Sequence, residues 1–216
     1  MKTRTVIFDL DGTLIESRAD LAAAVNRMRA EFDLTALPVE TIAGFVGEGL
    51  RPLVARALPE LPQQHEAAVS RVGHHYGEHL VEKTVLYPGV LLALEALSGM
   101  GYVLAVVTNK PQPFSEEILR RLGIAGFFAA VVGGGTCRKL KPDPESLLLA
   151  LERSGCADLP ASWIAGDHFT DLEAGRHAGL KRCYCRYGFG DPRREGYELA
   201  VDRLPELPRV LRHPRG

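Results

Sequence analysis

Val6-Ile7-Phe8-Asp9-Leu10-Asp11-Gly12-Thr13 decides how this chain is read. Val6 to Phe8 form a short apolar run, the pattern of a buried strand, and Gly12 closes it with a residue that tolerates a sharp turn. Alternation along the strand sends Asp9 and Asp11 to one side and Leu10 to the other. Two carboxylates held side by side at a strand's carboxyl end repel each other, so a cation or a shared proton must offset them. That end of a strand is also where open α/β sheets bind ligands. An acidic turn that caps a helix would use the same residues, since Asp-Gly is common in turns. The rest of the chain separates the two readings.

From Tyr102 onward, strand and helix patterns alternate. Tyr102 to Thr108 is a near-continuous apolar strand, as a buried parallel sheet requires. A helix with Ile118, Leu119 and Leu122 on one face follows and stops at Gly123. The spacing then predicts a strand over Ala129–Val132 and a helix over Pro144–Ser154 with Leu147, Leu148 and Leu151 inward. A strand over Trp163–Ala165 and a helix over Asp171–Ala178, ended by Gly179, come next. Arg182–Tyr187 and Ala200–Val201 are weaker strands. Such alternation predicts an α/β fold with a doubly wound parallel sheet and a Rossmann-like core.

The stretch from about Glu16 to Glu82 breaks the alternation with helical patterns only: Ala19–Phe32, Val39–Val46, Leu50–Leu58 and Glu66–Val81. It reads as an inserted helical domain, residues 16–82, within a core of residues 1–15 and 83–216. The 216 residues suffice for a core plus such an insert. Apolar residues at 46% and charged residues at 25% are ordinary for a globular protein. A net charge of −1 without blocks of like charge argues against nucleic acid as a partner. Arg203, Arg209, Arg212 and Arg215 are interrupted by acidic residues and prolines and read as a solvated tail. No run approaches the roughly 18 apolar residues of a membrane span, and the amino terminus opens straight into a strand, so a cytoplasmic protein with no membrane partner is expected. Cys137, Cys156, Cys183 and Cys185 form no CxxC pair and are read as free thiols.

Three further signals fall at predicted strand ends. Thr108-Asn109 offers a hydroxyl and amides to an anionic oxygen, or caps the next helix; both readings are compatible. Lys141 stands between Leu140 and Pro142 ahead of Pro144, and backbone stiffened by two prolines suits a positioned cation that neutralises phosphate or carboxylate. Lys139 lacks the adjacent proline. In Gly166-Asp167-His168-Phe169-Thr170-Asp171 a strand ends in Gly-Asp, and a second Asp follows four residues later. Those two carboxylates can complete an oxygen shell for a hard divalent ion.

Taken together in this order, Asp9-Leu10-Asp11-Gly12-Thr13, Thr108-Asn109, Lys141-Pro142 and Gly166-Asp167 with Asp171 resemble the four motifs of the haloacid dehalogenase-like hydrolases. The resemblance covers nearly the whole chain, and the helical insert is similar to the small cap domain of one branch. Asp20 to Asn26, Val46-Gly47-Glu48-Gly49, Val107 to Pro111 and Val132-Gly133-Gly134 are most similar to the phosphoglycolate phosphatase-like branch. The resemblance implies that Asp9 attacks phosphorus to form an aspartyl-phosphate, while Asp11 acts as general acid and base. It implies Mg²⁺ held by Asp9, the backbone carbonyl of Asp11, and Asp167, with Asp171 in support. It implies a small phosphorylated metabolite as substrate, with 2-phosphoglycolate first and a phosphosugar or amino-sugar phosphate as the alternative. A dehalogenase would not need Asp11, and mutases of the family often replace the equivalent of Thr13 with an aliphatic residue. The residue after the second Asp-bearing strand is commonly Ser in this family; here it is His168, which either alters the metal's surroundings or packs as a neutral ring.

Substrate choice is expected in the insert. Gly44 to Arg51 holds three glycines and a cation between two helices, and Arg51 either pairs with a substrate carboxylate or lies on a solvated helix face. His75 and His79, four apart, read as helix surface rather than as a metal site.

Overall fold

In the computed structural model, which describes residues 2–212, the run Val6-Ile7-Phe8 lies wholly buried in β1 (Arg4–Phe8). The chain continues through β2 (Ile15–Glu16) into four helices: α1 (Arg18–Ala30), α2 (Val39–Ala43), α3 (Leu50–Ala57) and α4 (His65–Glu78). β3 (Val85–Leu86) and α5 (Val90–Gly99) lead back. Alternation then runs β4 (Tyr102–Pro111), α6 (Gln112–Arg121), β5 (Phe128–Gly134), α7 (Glu145–Arg153), β6 (Trp163–Gly166), α8 (Phe169–Ala178), β7 (Lys181–Cys185), β8 (Leu199–Val201) and α9 (Glu206–Arg212).

Six strands form one sheet in the order β5-β4-β1-β6-β7-β8, and each adjacent pair is parallel. The chain winds outward from β1 through β4 to β5, then returns to the other side of β1 as β6. The winding therefore reverses beside β1, where such sheets open a crevice for ligands. Val6 and Phe8 pack on one face and Ile7 on the other, each in its own apolar cluster. A strand apolar on both faces needs helices on both, and alternation supplies them.

Most differences from the sequence reading have a local cause. In α7 the inward positions are Leu147, Ala150 and Leu151, spaced i, i+3 and i+4, while Leu148 is 50% exposed; the expectation that Leu148 faces inward is corrected. The carboxyl-terminal stretch is no solvated tail either. Arg203, Arg209 and Arg212 are exposed, but Leu204 and Leu207 are buried and α9 packs on α5. Arg215 lies outside the described residues. α2 stops at Ala43, three residues short of the expected end, where Gly44 begins a turn. Cys183 and Cys185 are buried on β7, and all four cysteines are free. No helix among the described residues is long and apolar enough to cross a membrane.

The four helices between β2 and β3 pack on one another, α1 against α4 and α2, and α3 against α4. At their base β2 and β3 pair antiparallel, Ile15 with Leu86 and Glu16 with Val85. Two residues per strand are too few for periodicity to reveal. Asp20, in the first turn of α1, ties the outgoing chain to the returning one. Its carboxylate accepts the N–H groups of Glu82, Lys83 and Thr84, at 3.1, 3.0 and 2.8 Å, and the Thr84 hydroxyl at 2.7 Å. Asp20→Ala should therefore lower the free energy of unfolding by about 1.5–3 kcal/mol, the worth of a buried charge-assisted contact. Urea denaturation with an unchanged m-value checks this; an unchanged midpoint would show that water replaces the carboxylate.

Candidate active site

β1, β4 and β6 end at one edge of the sheet, and there Asp9, Asp11, Thr108, Asn109, Lys141, Asp167 and Asp171 meet, none more than 9% exposed. Lys141 is the junction. Its ammonium donates to Asp9 Oδ1 at 2.7 Å, Asp171 Oδ1 at 2.6 Å and the Val107 carbonyl at 2.7 Å, which uses all three of its N–H groups. Burial opposes the charge on Lys141, but Asp171 and Asp9 outweigh it and hold its pKa above the ordinary lysine range. Lys139 is 70% exposed and pairs with Asp143 at 3.0 Å, away from these groups.

Asn109 sets the Lys141 backbone. Its Oδ1 accepts Lys141 N–H at 2.8 Å, while Nδ2 donates to the Lys141 carbonyl at 2.9 Å and to the Gly47 carbonyl at 2.8 Å. The side-chain amide is thus spent on positioning the loop and on holding the helical insert, which corrects the expectation that it offers itself to an anion. The Thr108 hydroxyl accepts Lys110 N–H at 3.2 Å and keeps its own proton to donate.

Burial pushes the Asp9 carboxyl up to about 6, against the pull of Lys141 and with the push of the Asp171 and Asp11 charges. Lys141 takes Oδ1, and no donor among the described residues takes Oδ2. Asp167 is raised well above its ordinary value by burial first, then by Asp9 and Asp171, with the Gly190 N–H opposing. Its Oδ2 accepts Phe189 and Gly190 N–H at 3.0 and 2.7 Å, and its Oδ1 accepts the Thr13 hydroxyl at 3.3 Å. Gly12, at φ +84°, is required here: a Cβ would lie 2.0 Å from Asp167 Oδ2.

Asp9, Asp167 and Asp171 each present a carboxylate oxygen within 4.8 Å of the others. With Asp11, four buried carboxylates face two buried ammonium groups, Lys110 and Lys141. A hard divalent cation fits this all-oxygen, net-negative set. Asp171 already spends Oδ1 on Lys141 and Oδ2 on the His168 N–H, so its place is to support rather than lead.

Lys110 received no assignment in the sequence reading. It follows Thr108-Asn109 on β4, and its ammonium donates to both oxygens of Asp11 at 2.9 and 2.8 Å; the Ser17 hydroxyl also donates to Asp11. Asp11 holds the Lys110 pKa above its ordinary range against burial. A lysine two residues past Thr108 on a strand that alternates faces was the available signal. Arg51, in contrast, lies outside the site: its side chain is 68% exposed and pairs with Glu66. The expected contact with a substrate carboxylate is corrected, because α3 turns Leu53, not Arg51, inward. His75 pairs with Glu31 and His79 with Glu82, so they share no site. His168 caps α8 and accepts Thr170 N–H; burial pulls its pKa down to about 4, the neutral ring of the second reading.

A cavity of about 60 Å³ separates this edge from the helical insert. Asp9, Asp11, Thr108, Lys110 and Asp167 line it from below, and Leu53, Val72 and Tyr76 from above. Burial pushes the Tyr76 phenol up to about 12, so it keeps its proton at neutral pH.

The haloacid dehalogenase-like hydrolase family model matches residues 6–185. The plasmid phosphoglycolate phosphatase of Cupriavidus necator is 37% identical over 217 residues, covering 95% of this chain and 92% of the relative. The N-acetylmuramic acid 6-phosphate phosphatase of Pseudomonas aeruginosa is 34% identical over 221 residues, covering 98% and 96%. The crystal structure of a predicted phosphoglycolate phosphatase from Haemophilus somnus superposes with a TM-score of 0.89 at 28% identity, covering 97% of this chain and 98% of that one.

Proton competition should govern metal uptake. With Asp9 near 6 and Asp167 raised, an arriving ion must displace protons from these carboxyls as pH falls. Affinity for a divalent cation should therefore fall as pH drops from 7.5 to 5. Calorimetry at pH 6 in two buffers of different ionisation enthalpy, with Mg²⁺ as the probe, should read proton release on binding. An affinity that does not change with pH would show that the carboxylates are ionised before the ion arrives.

Proposed function

The chain belongs to the haloacid dehalogenase-like hydrolases and to the phosphoric monoester hydrolases among them, and from that premise we propose that it uses Mg²⁺ to hydrolyse 2-phosphoglycolate to glycolate and phosphate. One observation carries the reading: Asp9, whose Oδ2 has no donor among the described residues, lines a cavity together with the buried groups of Asp11, Asp167 and Lys110. Residues 16–82 are read as a cap over the core of residues 1–15 and 83–216.

Asp9, the Asp11 backbone carbonyl and Asp167 would hold the metal, with Asp171 in support. The ion would neutralise the charge of carboxylates and phosphate and polarise a phosphoryl oxygen. Asp9 attacks phosphorus, and the bond to the leaving oxygen breaks with its electron pair on that oxygen. Asp11, oriented by Lys110 and Ser17, protonates the leaving alkoxide. Water then attacks the aspartyl-phosphate and gives its proton to Asp11; the bond to Asp9 breaks and frees phosphate. Lys141, whose N–H groups hold Asp9, Asp171 and the Val107 carbonyl, positions the nucleophile, and the Thr108 hydroxyl stabilises the transferring phosphoryl group.

Magnitudes explain why so many groups are gathered. Hydrolysis of a phosphate monoester needs up to ~10²¹-fold acceleration, or roughly 28 kcal/mol. A general acid supplies about 10²–10⁴ of that, so charge neutralisation and positioning must supply most of the rest.

Asp9→Asn should abolish phosphate release while the fold persists, because an amide is a poor nucleophile. Appreciable release from the folded, pure variant would sink the covalent route. Lys141→Ala should lose far more activity than Lys139→Ala, by roughly 100-fold or more, since Lys141 holds the nucleophile Asp9 and Lys139 touches none of these groups. Equal losses would show that the positioning cation is misassigned. Excess EDTA should stop turnover and Mg²⁺ should restore it; full activity in verified metal-free enzyme would exclude a metal role.

A further inference from the structure

Two buried donors meet in the cavity without an anionic acceptor for all their hydrogen atoms. Lys110 is 7% exposed, and its ammonium meets Asp11 and the face of Tyr76, 4.5 Å from the ring centroid. An ammonium carries three donors. Asp11 takes two of them, and the third faces the Tyr76 side chain, with no carboxylate or carbonyl oxygen among the described residues to receive it. Lys141 differs, since each of its three donors has an acceptor. Tyr76, 3% exposed on α4, has a hydroxyl with no hydrogen-bond partner. Among the described residues the only other such buried side-chain atom is the Ser146 hydroxyl, far along the chain in α7.

An unpartnered buried hydroxyl destabilises a fold, and one that lines a cavity beside an underused ammonium has a ready explanation in a ligand. Around them the wall is apolar: Leu53, Val72 and Phe114 offer no competing acceptor. Two convergent donors in an apolar wall suit an anion with two acceptor oxygens, and charge-assisted bonds of this kind are the strong ones. The phosphoryl end of a substrate must lie against Asp9 and Thr108 at the strand ends. The second anion must therefore sit on the part of the molecule that is not transferred.

We propose that Lys110 and Tyr76 form the subsite for a carboxylate on the leaving group, which makes phosphorylated short 2-hydroxy acids the preferred substrates. The assignment rests on the phosphatase reading above and gives the carboxylate a partner that Arg51, turned outward on Glu66, does not supply. It also makes recognition depend on both layers of the molecule, since Lys110 comes from the sheet and Tyr76 from the insert. A neutral leaving group would leave both donors unpaired, and a site built to hydrogen-bond rejects such an analogue.

The test compares kcat/KM for 2-phosphoglycolate with that for ethyl phosphate, in which a methyl group replaces the carboxylate. Wild-type enzyme should prefer 2-phosphoglycolate by at least ~100-fold. Tyr76→Phe, which keeps the ring and so the packing, should cut that preference about tenfold, mainly through KM. Lys110→Met should cut it about thirtyfold or more. Equal rates on both esters in wild type, a preference that both variants keep, or proportional loss on both esters would overturn the subsite. Release that depends on Asp9 without any preference overturns the subsite alone; no release that depends on Asp9 overturns the phosphatase reading and the subsite with it.

Discussion

The Lys141 ammonium and its three buried acceptors hold the site together. Asp9 ends β1, Val107 belongs to β4, and Asp171 opens α8, so one side chain ties three elements that the chain reaches far apart. Removing one partner from a buried ionic set typically costs about 3–5 kcal/mol, because the charge left behind has no water to turn to. Even with Lys141 in place, burial keeps Asp9 above its ordinary value. Desolvation outweighs the neighbouring charge there, and the site remains short of positive charge. Shortage of this kind is a device for binding: what stability loses by gathering carboxylates in the interior, a divalent ion and a phosphate can restore when they arrive.

Helices from a separate stretch of chain close over this edge through few contacts. Asn109 Nδ2 reaches the Gly47 carbonyl, and Glu48 faces Arg193 at 3.6 Å. Gly47 lies so close to the His168 ring that a Cβ would come within 2.8 Å of it, which only glycine avoids at its φ of +116°. The same asparagine that fixes the Lys141 loop therefore also seats the insert. Position of the lysine and closure over the cavity are linked through one amide. Asp20, at the root of the insert, gathers the N–H groups of residues 82–84 and holds the two crossing strands of chain side by side. The insert is thus held at its root by the buried bonds of Asp20 and at its tip by the Asn109–Gly47 bond and the Glu48–Arg193 pair.

Much of this was legible in the sequence. Apolar runs bounded by glycine and helical stripes at i, i+3 and i+4 are local patterns, and they specified a doubly wound parallel sheet with a helical insertion. Strand periodicity placed Asp9 and Asp11 together, and the ends of the apolar runs of β4 and β6 placed Thr108 and Asp167 at the same edge, because parallel strands share their direction. The prolines around Lys141 set it apart from Lys139, and burial now separates them by the same margin. Where local signals were absent, the reading stopped: β2 and β3 are two residues each, and α9 was hidden behind a run of arginines.

Tertiary structure alone decided which groups are spent and which are free. Lys110 meets Asp11 across 99 positions of sequence and Lys141 meets Asp9 across 132, and no periodicity carries information over such spans. Arg51 looked like the cation of the glycine-rich turn, yet two positions along α3 reach the opposite face, so Leu53 turns inward and Arg51 lies in water. Asn109 looked like an open donor, yet the Lys141 backbone and the Gly47 carbonyl between them use its whole side chain. Sequence by itself determined the kind of fold and where along each strand the polar groups stand, since both follow from short-range sterics and the burial of apolar faces. The assignment of each donor to its acceptor depends on distances of a few ångströms between remote segments, and only packing sets those.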